Sequence, residues 1–173
     1  MSTPPGRSPQ DTAAFDALAG ADAVRALLAV CSSRAWAEQV GARRPYGSAE
    51  ALHAAADEAL AALTEADMDA ALAGHPRIGE RNVTAAASRR EQAGMAAASD
   101  ETRAALAEGN ARYEQRFGHA YLVCAAGRSA DELLAVLRER LGNTPDEERR
   151  RLRVELAAIN RLRLTRMLEG SSS

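Results

Sequence analysis

Helix start and stop signals follow one another along almost the whole chain and leave little room for anything but helices. Thr64 with Asp67 three residues on resembles a capping box, in which a side-chain oxygen accepts from an orphan N–H of the first turn. Ser88-Arg89-Arg90-Glu91 repeats the pattern. Thr144-Pro145-Asp146-Glu147 is the clearest start: a cap, a proline at the first helical position, and acids facing the positive end of the helix dipole. Gly20, Gly41, Gly74, Gly118 and Gly142 come after apolar-periodic segments and read as stops. The expected helices run from Asp11 to about Ala19, from Asp22 with Val24, Leu27 and Leu28 on one face, over Arg34 to Val40, from Ser48 to about Leu63, and from Thr64 to Gly74. Others open at Ser88, span Asp100 to Phe117 and Ser129 to Leu141, and run from Thr144 to about Leu168 with Val154, Ile159 and Leu162 at apolar positions. Tyr121-Leu122-Val123-Cys124-Ala125 reads instead as short, apolar and extended. Residues His75 to Glu80 read as a loop, because proline disfavours helix at the residue before it and Gly79 breaks any helix beyond it. No repeat, heptad run or interior linker interrupts the series. The expectation is one compact all-α domain of about eight helices over 11–169, with a disordered lead at 1–10 and a disordered tail at 170–173.

Composition narrows the chemistry. Apolar residues are 46% of the chain but aromatics only 3%, and much of the apolar share is alanine, which favours helix and fills little volume. Thin, closely packed helices are the consequence. The net charge of −2 gives no pull toward nucleic acid or an anionic membrane. No apolar run approaches the roughly 20 residues that span a bilayer. The opening MSTPPGRSPQ has no apolar core, so a signal peptide is not expected and a cytoplasmic setting is. There the two cysteines, Cys31 and Cys124, are expected as free thiols. All 22 basic residues are arginine. Without lysine there is no Schiff-base chemistry, no covalently held pyridoxal phosphate and no ordinary P-loop.

Three histidines could carry chemistry. His53 lies mid-helix among alanines and reads as structural. His119 comes after a helix-ending glycine beside the apolar run and could border a pocket. His75 stands in a loop between helices, next to a rigid proline, where catalytic groups tend to be displayed; its ordinary pKa near 6.5 suits proton exchange near neutrality. An equally ordinary reading makes His75 a helix C-cap paired with Glu80. Ser88 and Glu91 carry a strong capping-box reading, which can coexist with binding, since a capped helix start offers N–H groups to an anion. Arg161, Arg163 and Arg166 read mostly as a solvated face, although one turned inward could grip a carboxylate or ureido carbonyl. No histidine or cysteine spacing suits a metal, and none is expected.

Four motifs in order carry a resemblance. Gly74-His75-Pro76-Arg77-Ile78-Gly79-Glu80, Ser88-x-x-Glu91-Gln92-Ala93-Gly94, Tyr113 with Phe117-Gly118 and the apolar run to Cys124, and the last helix with Ile159-x-x-x-Arg163-Leu164 resemble the 2-oxo-4-hydroxy-4-carboxy-5-ureidoimidazoline (OHCU) decarboxylases over about residues 11 to 169. The resemblance implies an all-α, commonly homodimeric, cofactor-free carboxy-lyase of urate breakdown that converts this small-molecule acid to S-allantoin and carbon dioxide. It assigns catalysis to His75 and Glu91. It assigns substrate binding to Pro76, Ser88, Gln92, the backbone of Tyr121, Leu122 and Val123, and Arg163. Two departures touch one pocket wall: His119-Ala120 stand where Phe-Pro is common, and Tyr121 stands where phenylalanine is common.

The residues suit such chemistry without a cofactor. A decarboxylation needs an electron sink, and this substrate would carry one in the C=N bond beside the carbon that loses carbon dioxide. Two rival expectations remain open: a non-enzymatic helical binding module, and an enzyme acting on a related ureido or imidazoline acid.

Overall fold

In a computed structural model, residues 12–79 and 93–170 are described. Among them there is helix and no strand. The helices are α1 (Ala13–Asp16), α2 (Gly20–Val30), α3 (Arg34–Ala42), α4 (Ala49–Ala61), α5 (Glu65–Ala73), a 3₁₀ turn (Ala93–Ala97), α6 (Asp100–Phe117), α7 (Ala130–Arg140) and α8 (Pro145–Gly170). None is long and apolar enough to cross a membrane. The contacts divide the chain into two units, one from residues up to Leu63 and from Asn160 on, the other Thr64–Ile159. The helix expected to open at Ser88 lies outside the described residues.

In the first unit, α2, α3 and α4 pack on Leu27, Val30, Trp36, Val40, Leu52 and Leu60, all buried. Alanine makes this possible. Ala23, Ala37, Ala56 and Ala59 are buried too, and Trp36 fills the remaining volume while its indole N–H donates to the Ala56 carbonyl at 2.9 Å. Ser33 and Ser48 accept from Trp36 N and Ala51 N and so cap α3 and α4. Three expected boundaries move. Gly41, expected to close the helix from Arg34, lies inside α3, which runs on to Ala42. Gly20 starts α2 rather than ending α1, and Asp22 lies inside the first turn of α2, paired with Arg25 at 2.8 Å, instead of capping it. The first helix stops at Asp16 because its end is taken by the turn at Arg44 to Gly47. Arg44 donates to the carbonyls of Phe15 and Leu18 at 2.9 and 2.8 Å. The Asp16 carboxylate accepts from Tyr46 N and Gly47 N at 3.1 and 3.2 Å.

In the second unit the helix ends behave as expected. Thr64 caps α5 and Ser99 caps α6. Gly118, with φ of 77°, takes the left-handed conformation and closes α6 through an N–H to the Glu114 carbonyl. Ser129 and Glu132 form a full capping box on α7. Thr144 and Glu147 exchange bonds at the start of α8. The helices surround one core of Ile78, Met95, Leu106, Tyr113, Tyr121, Val123, Leu133 and Leu137. The run 121–125 is neither helix nor turn, and Tyr121, Leu122, Val123 and Ala125 are buried in it, as expected of an apolar connector. Val154 departs from expectation: it is 60% exposed, because the buried stripe of α8 passes through Leu152, Leu156 and Ile159 instead.

The 3₁₀ turn is held against the start of α7 by the smallness of Gly94. A Cβ there would lie 2.0 Å from the Arg128 carbonyl oxygen, a backbone atom that cannot swing away. Gly94→Ala is expected to cost about 1–3 kcal/mol. Chemical denaturation measures it, and a change under about 0.5 kcal/mol would mean the close approach is relieved at little cost.

Candidate functional site

His75 leaves the end of α5 in a fixed pose. Its backbone N–H donates to the Leu72 carbonyl at 3.1 Å, and its Nδ1 lies 2.9 Å from the carbonyl oxygen of Ala71, four residues back. A carbonyl can only accept, so Nδ1 carries the proton of the neutral ring and Nε2 is the basic nitrogen. The C-cap reading of this histidine is met by these two contacts, and its expected pairing with Glu80 lies outside the described residues; capping through Nδ1 is compatible with proton transfer at Nε2. His75 and Pro76 are half-buried.

The loop beyond His75 is tied to α6 in two places. The Asn110 amide, 6% exposed, donates to the Ile78 carbonyl at 3.0 Å. One turn further on, Glu114 takes Nε and Nη2 of Arg77 in a two-pronged ion pair, the latter at 2.8 Å. The Arg77 guanidinium holds the Glu114 carboxyl below its ordinary range. A cleft of about 420 Å³ lies beside these ties, lined by Arg77, Ile78, Gly79, Arg103, Asn110 and Glu114. Gly79 completes the turn at φ of 82°. Ile78 itself is buried in the same core as Tyr121 and Val123, which brings the histidine loop and the apolar run onto one framework.

The apolar run is fixed by buried charge. Arg140, 2% exposed, donates from Nη1 to the Leu122 carbonyl at 2.6 Å. Glu155 accepts from Cys124 N–H at 2.9 Å and also pairs with Arg151 at 2.8 Å. Arg140 is in turn paired with the fully buried Glu148, from Nε at 2.9 Å and also from Nη2. Asn143 donates to the other carboxylate oxygen of Glu148 at 2.8 Å, and the Tyr113 hydroxyl donates as well. Burial alone would push the Glu148 carboxyl up, but Arg140, Tyr113 and Asn143 outweigh it and hold it below the ordinary range. Burial pushes the phenols of Tyr113 and Tyr121 up, so both are neutral donors near pH 7. The Arg140 guanidinium also lies over the Tyr121 ring, 4.8 Å from its centroid.

The other candidates divide by place. Arg163 belongs to the first unit and is half-buried, with Nη1 on the Val30 carbonyl at 3.0 Å; Arg166 is half-buried as well, whereas Arg161 pairs with Asp57 in the exposed manner expected. Ser88, Glu91 and Gln92 lie outside the described residues. His119 stacks on Phe117 with ring centroids 6.2 Å apart and lines a separate cleft of about 700 Å³ with Asp69, Asp146 and Arg149. His53 lies within α4, its ring pKa lowered by burial and by Arg161. Among the described residues no group of histidine, cysteine or carboxylate side chains could hold a metal ion. Sequence reasoning did not foresee Arg140, Glu148, Asn110 or Glu114 as supports of the two segments.

Comparison with known proteins gives a consistent picture. Residues 16–165 match the OHCU decarboxylase family. The chain is 32% identical over 139 residues to the 2-oxo-4-hydroxy-4-carboxy-5-ureidoimidazoline decarboxylase of Amia calva, covering 77% of this chain and 79% of that protein. It is 31% identical over 144 residues to the uric acid degradation bifunctional protein TTL of Arabidopsis thaliana, covering 79% of this chain and 43% of the plant protein, so it spans less than half of that relative. A crystal structure of an OHCU decarboxylase in the presence of (S)-allantoin superimposes with a TM-score of 0.74 at 26% identity, covering 82% of this chain and 96% of that one.

Proposed function

Because the chain belongs to the OHCU decarboxylase family, we propose that it decarboxylates 2-oxo-4-hydroxy-4-carboxy-5-ureidoimidazoline to (S)-allantoin in urate degradation, with His75 as the proton-transfer group. The observation that supports the role of His75 is its ring pose: Nδ1 is committed to the Ala71 carbonyl, so in the neutral ring Nε2 is the nitrogen able to take up a proton.

The chemistry balances with the protein supplying protons and position only. The bond from the ring carbon to the carboxylate breaks and carbon dioxide leaves. Its electron pair forms a double bond to the neighbouring ring carbon, and the pair displaced from that carbon's C=N bond goes to nitrogen, which takes a proton. The resulting enol gives up its hydroxyl proton, and the ureido-bearing carbon takes a proton from one face. One proton is consumed overall. His75 Nε2 serves these transfers, and Glu91 orients the imidazole or binds the substrate's hydroxyl and ureido N–H groups. Pro76, Ser88, Gln92 and Arg163 position the substrate. Leu122 and Cys124, two residues apart, turn their backbone groups toward Arg140 and Glu155. By the alternation of an extended chain, Val123 then turns its own N–H and C=O the other way, toward the ring. A cytoplasmic homodimer using no cofactor completes the reading.

Added to freshly oxidised, ring-opened urate, the protein is expected to speed loss of the carboxylated intermediate and to build a circular dichroism signal of a single allantoin enantiomer. Loss of substrate at the uncatalysed rate with racemic product would overturn the assignment. Consumption of a related acid without allantoin would favour the rival enzyme.

A further inference from the structure

We propose that Asn110 and Glu114 are positioning residues that hold the His75 loop in its reactive pose; the inference rests on the role given to His75. Three observations carry it. First, the two residues are one turn apart on the same face of α6, and each takes a different residue of the loop, Ile78 by a buried hydrogen bond of 3.0 Å and Arg77 by a two-pronged ion pair. Second, Arg77, Ile78 and Gly79 line a cleft of about 420 Å³ together with Asn110 and Glu114, so the two ties set how this stretch stands along α6. Third, the loop begins at the helix-end histidine and reaches Arg77 within two residues, with Pro76 between them fixing one backbone torsion. A shift at Arg77 or Ile78 therefore passes to the imidazole with little slack. The Asn110 amide has one arm on the loop through Nδ2, while its buried Oδ1 has no hydrogen-bond partner among the described residues.

Neither residue is assigned to substrate contact, so loosening the loop should lower kcat more than it changes KM. Asn110→Asp keeps the shape and removes the donor. Glu114→Arg breaks the ion pair by repulsion. Each is expected to lower kcat by about 10- to 100-fold, the cost of misplacing a reacting group by about 1 Å, with KM changed less than about threefold. The exchanged pair Arg77→Glu with Glu114→Arg should restore most of the loss, because the opposite charges are again face to face. The His75 ring resonances, recorded by NMR across the pH range, should shift in Asn110→Asp and Glu114→Arg and return in the exchanged pair. Folding is checked by melting curves on the same samples. Unchanged kcat in both single variants while His75→Asn is inactive would overturn the positioning role alone. An active His75→Asn would overturn the reading beneath it. Loss of activity in Glu114→Arg that the exchanged pair does not relieve, with unmoved His75 resonances, would also count against the proposal.

Discussion

Replacing His75 with asparagine lowers kcat by at least about 10²-fold while the protein stays folded, if the imidazole moves protons as proposed. Asparagine is chosen because its amide N–H can still reach toward the Ala71 carbonyl that Nδ1 now holds at 2.9 Å. The C-cap interaction is therefore largely kept, and a lost cap would in any case be worth only about 1 kcal/mol. What asparagine cannot do is exchange a proton near neutrality. Turnover and thermal melting on one sample separate the two functions of the ring. Normal turnover with an unchanged melting temperature would remove His75 from the chemistry and leave it a helix cap.

Glu148→Ala carries the largest expected effect on stability. Glu148 is fully buried and accepts from Arg140, Tyr113 and Asn143, so its removal strands the Arg140 guanidinium in the core. Breaking one partner of a buried pair typically costs about 3–5 kcal/mol. For a chain of this size that corresponds to roughly 6–20 °C in melting temperature. Removing both partners, as Arg140→Met with Glu148→Leu, should cost less than the sum of the single changes. The same contacts set the pH dependence. The folded carboxyl titrates below its unfolded value, so its contribution is fully present above about pH 4.3 and is lost as pH falls through the lower, folded value. The wild type should therefore lose stability on acidification below about pH 4 more steeply than Glu148→Ala. A single variant within about 1 kcal/mol of wild type would show that the pair is not what holds this region.

Much of the scaffold was legible because capping is local. Ser48, Thr64, Ser129 and Thr144 act within three residues of themselves, and sequence alone contains that whole interaction. The first helix was misjudged because its end is fixed by Arg44, more than 25 residues away in sequence. His75 and the apolar run stood out by their residue types and by resemblance, whereas their supports did not. Arg140 and Glu148 sit on helical stripes otherwise made of Leu133, Leu137, Leu152 and Leu156. A charge in register with an apolar stripe was the available signal, but it has force only once the two stripes are known to face each other. Asn110 and Glu114 gave no signal, since a polar residue on a helix is usually solvated. The family resemblance proposes where the chemistry lies, and the geometry supplies reasons for residues the motifs do not contain.

A crystal structure with (S)-allantoin bound tests the account most directly. The predicted result is allantoin seated with the carbon that carries its ureido group about 3–3.5 Å from His75 Nε2, and with its ring bonded to the backbone of Val123. Allantoin bound elsewhere, or lying on the 121–123 run with Nε2 turned away from that carbon, would contradict it.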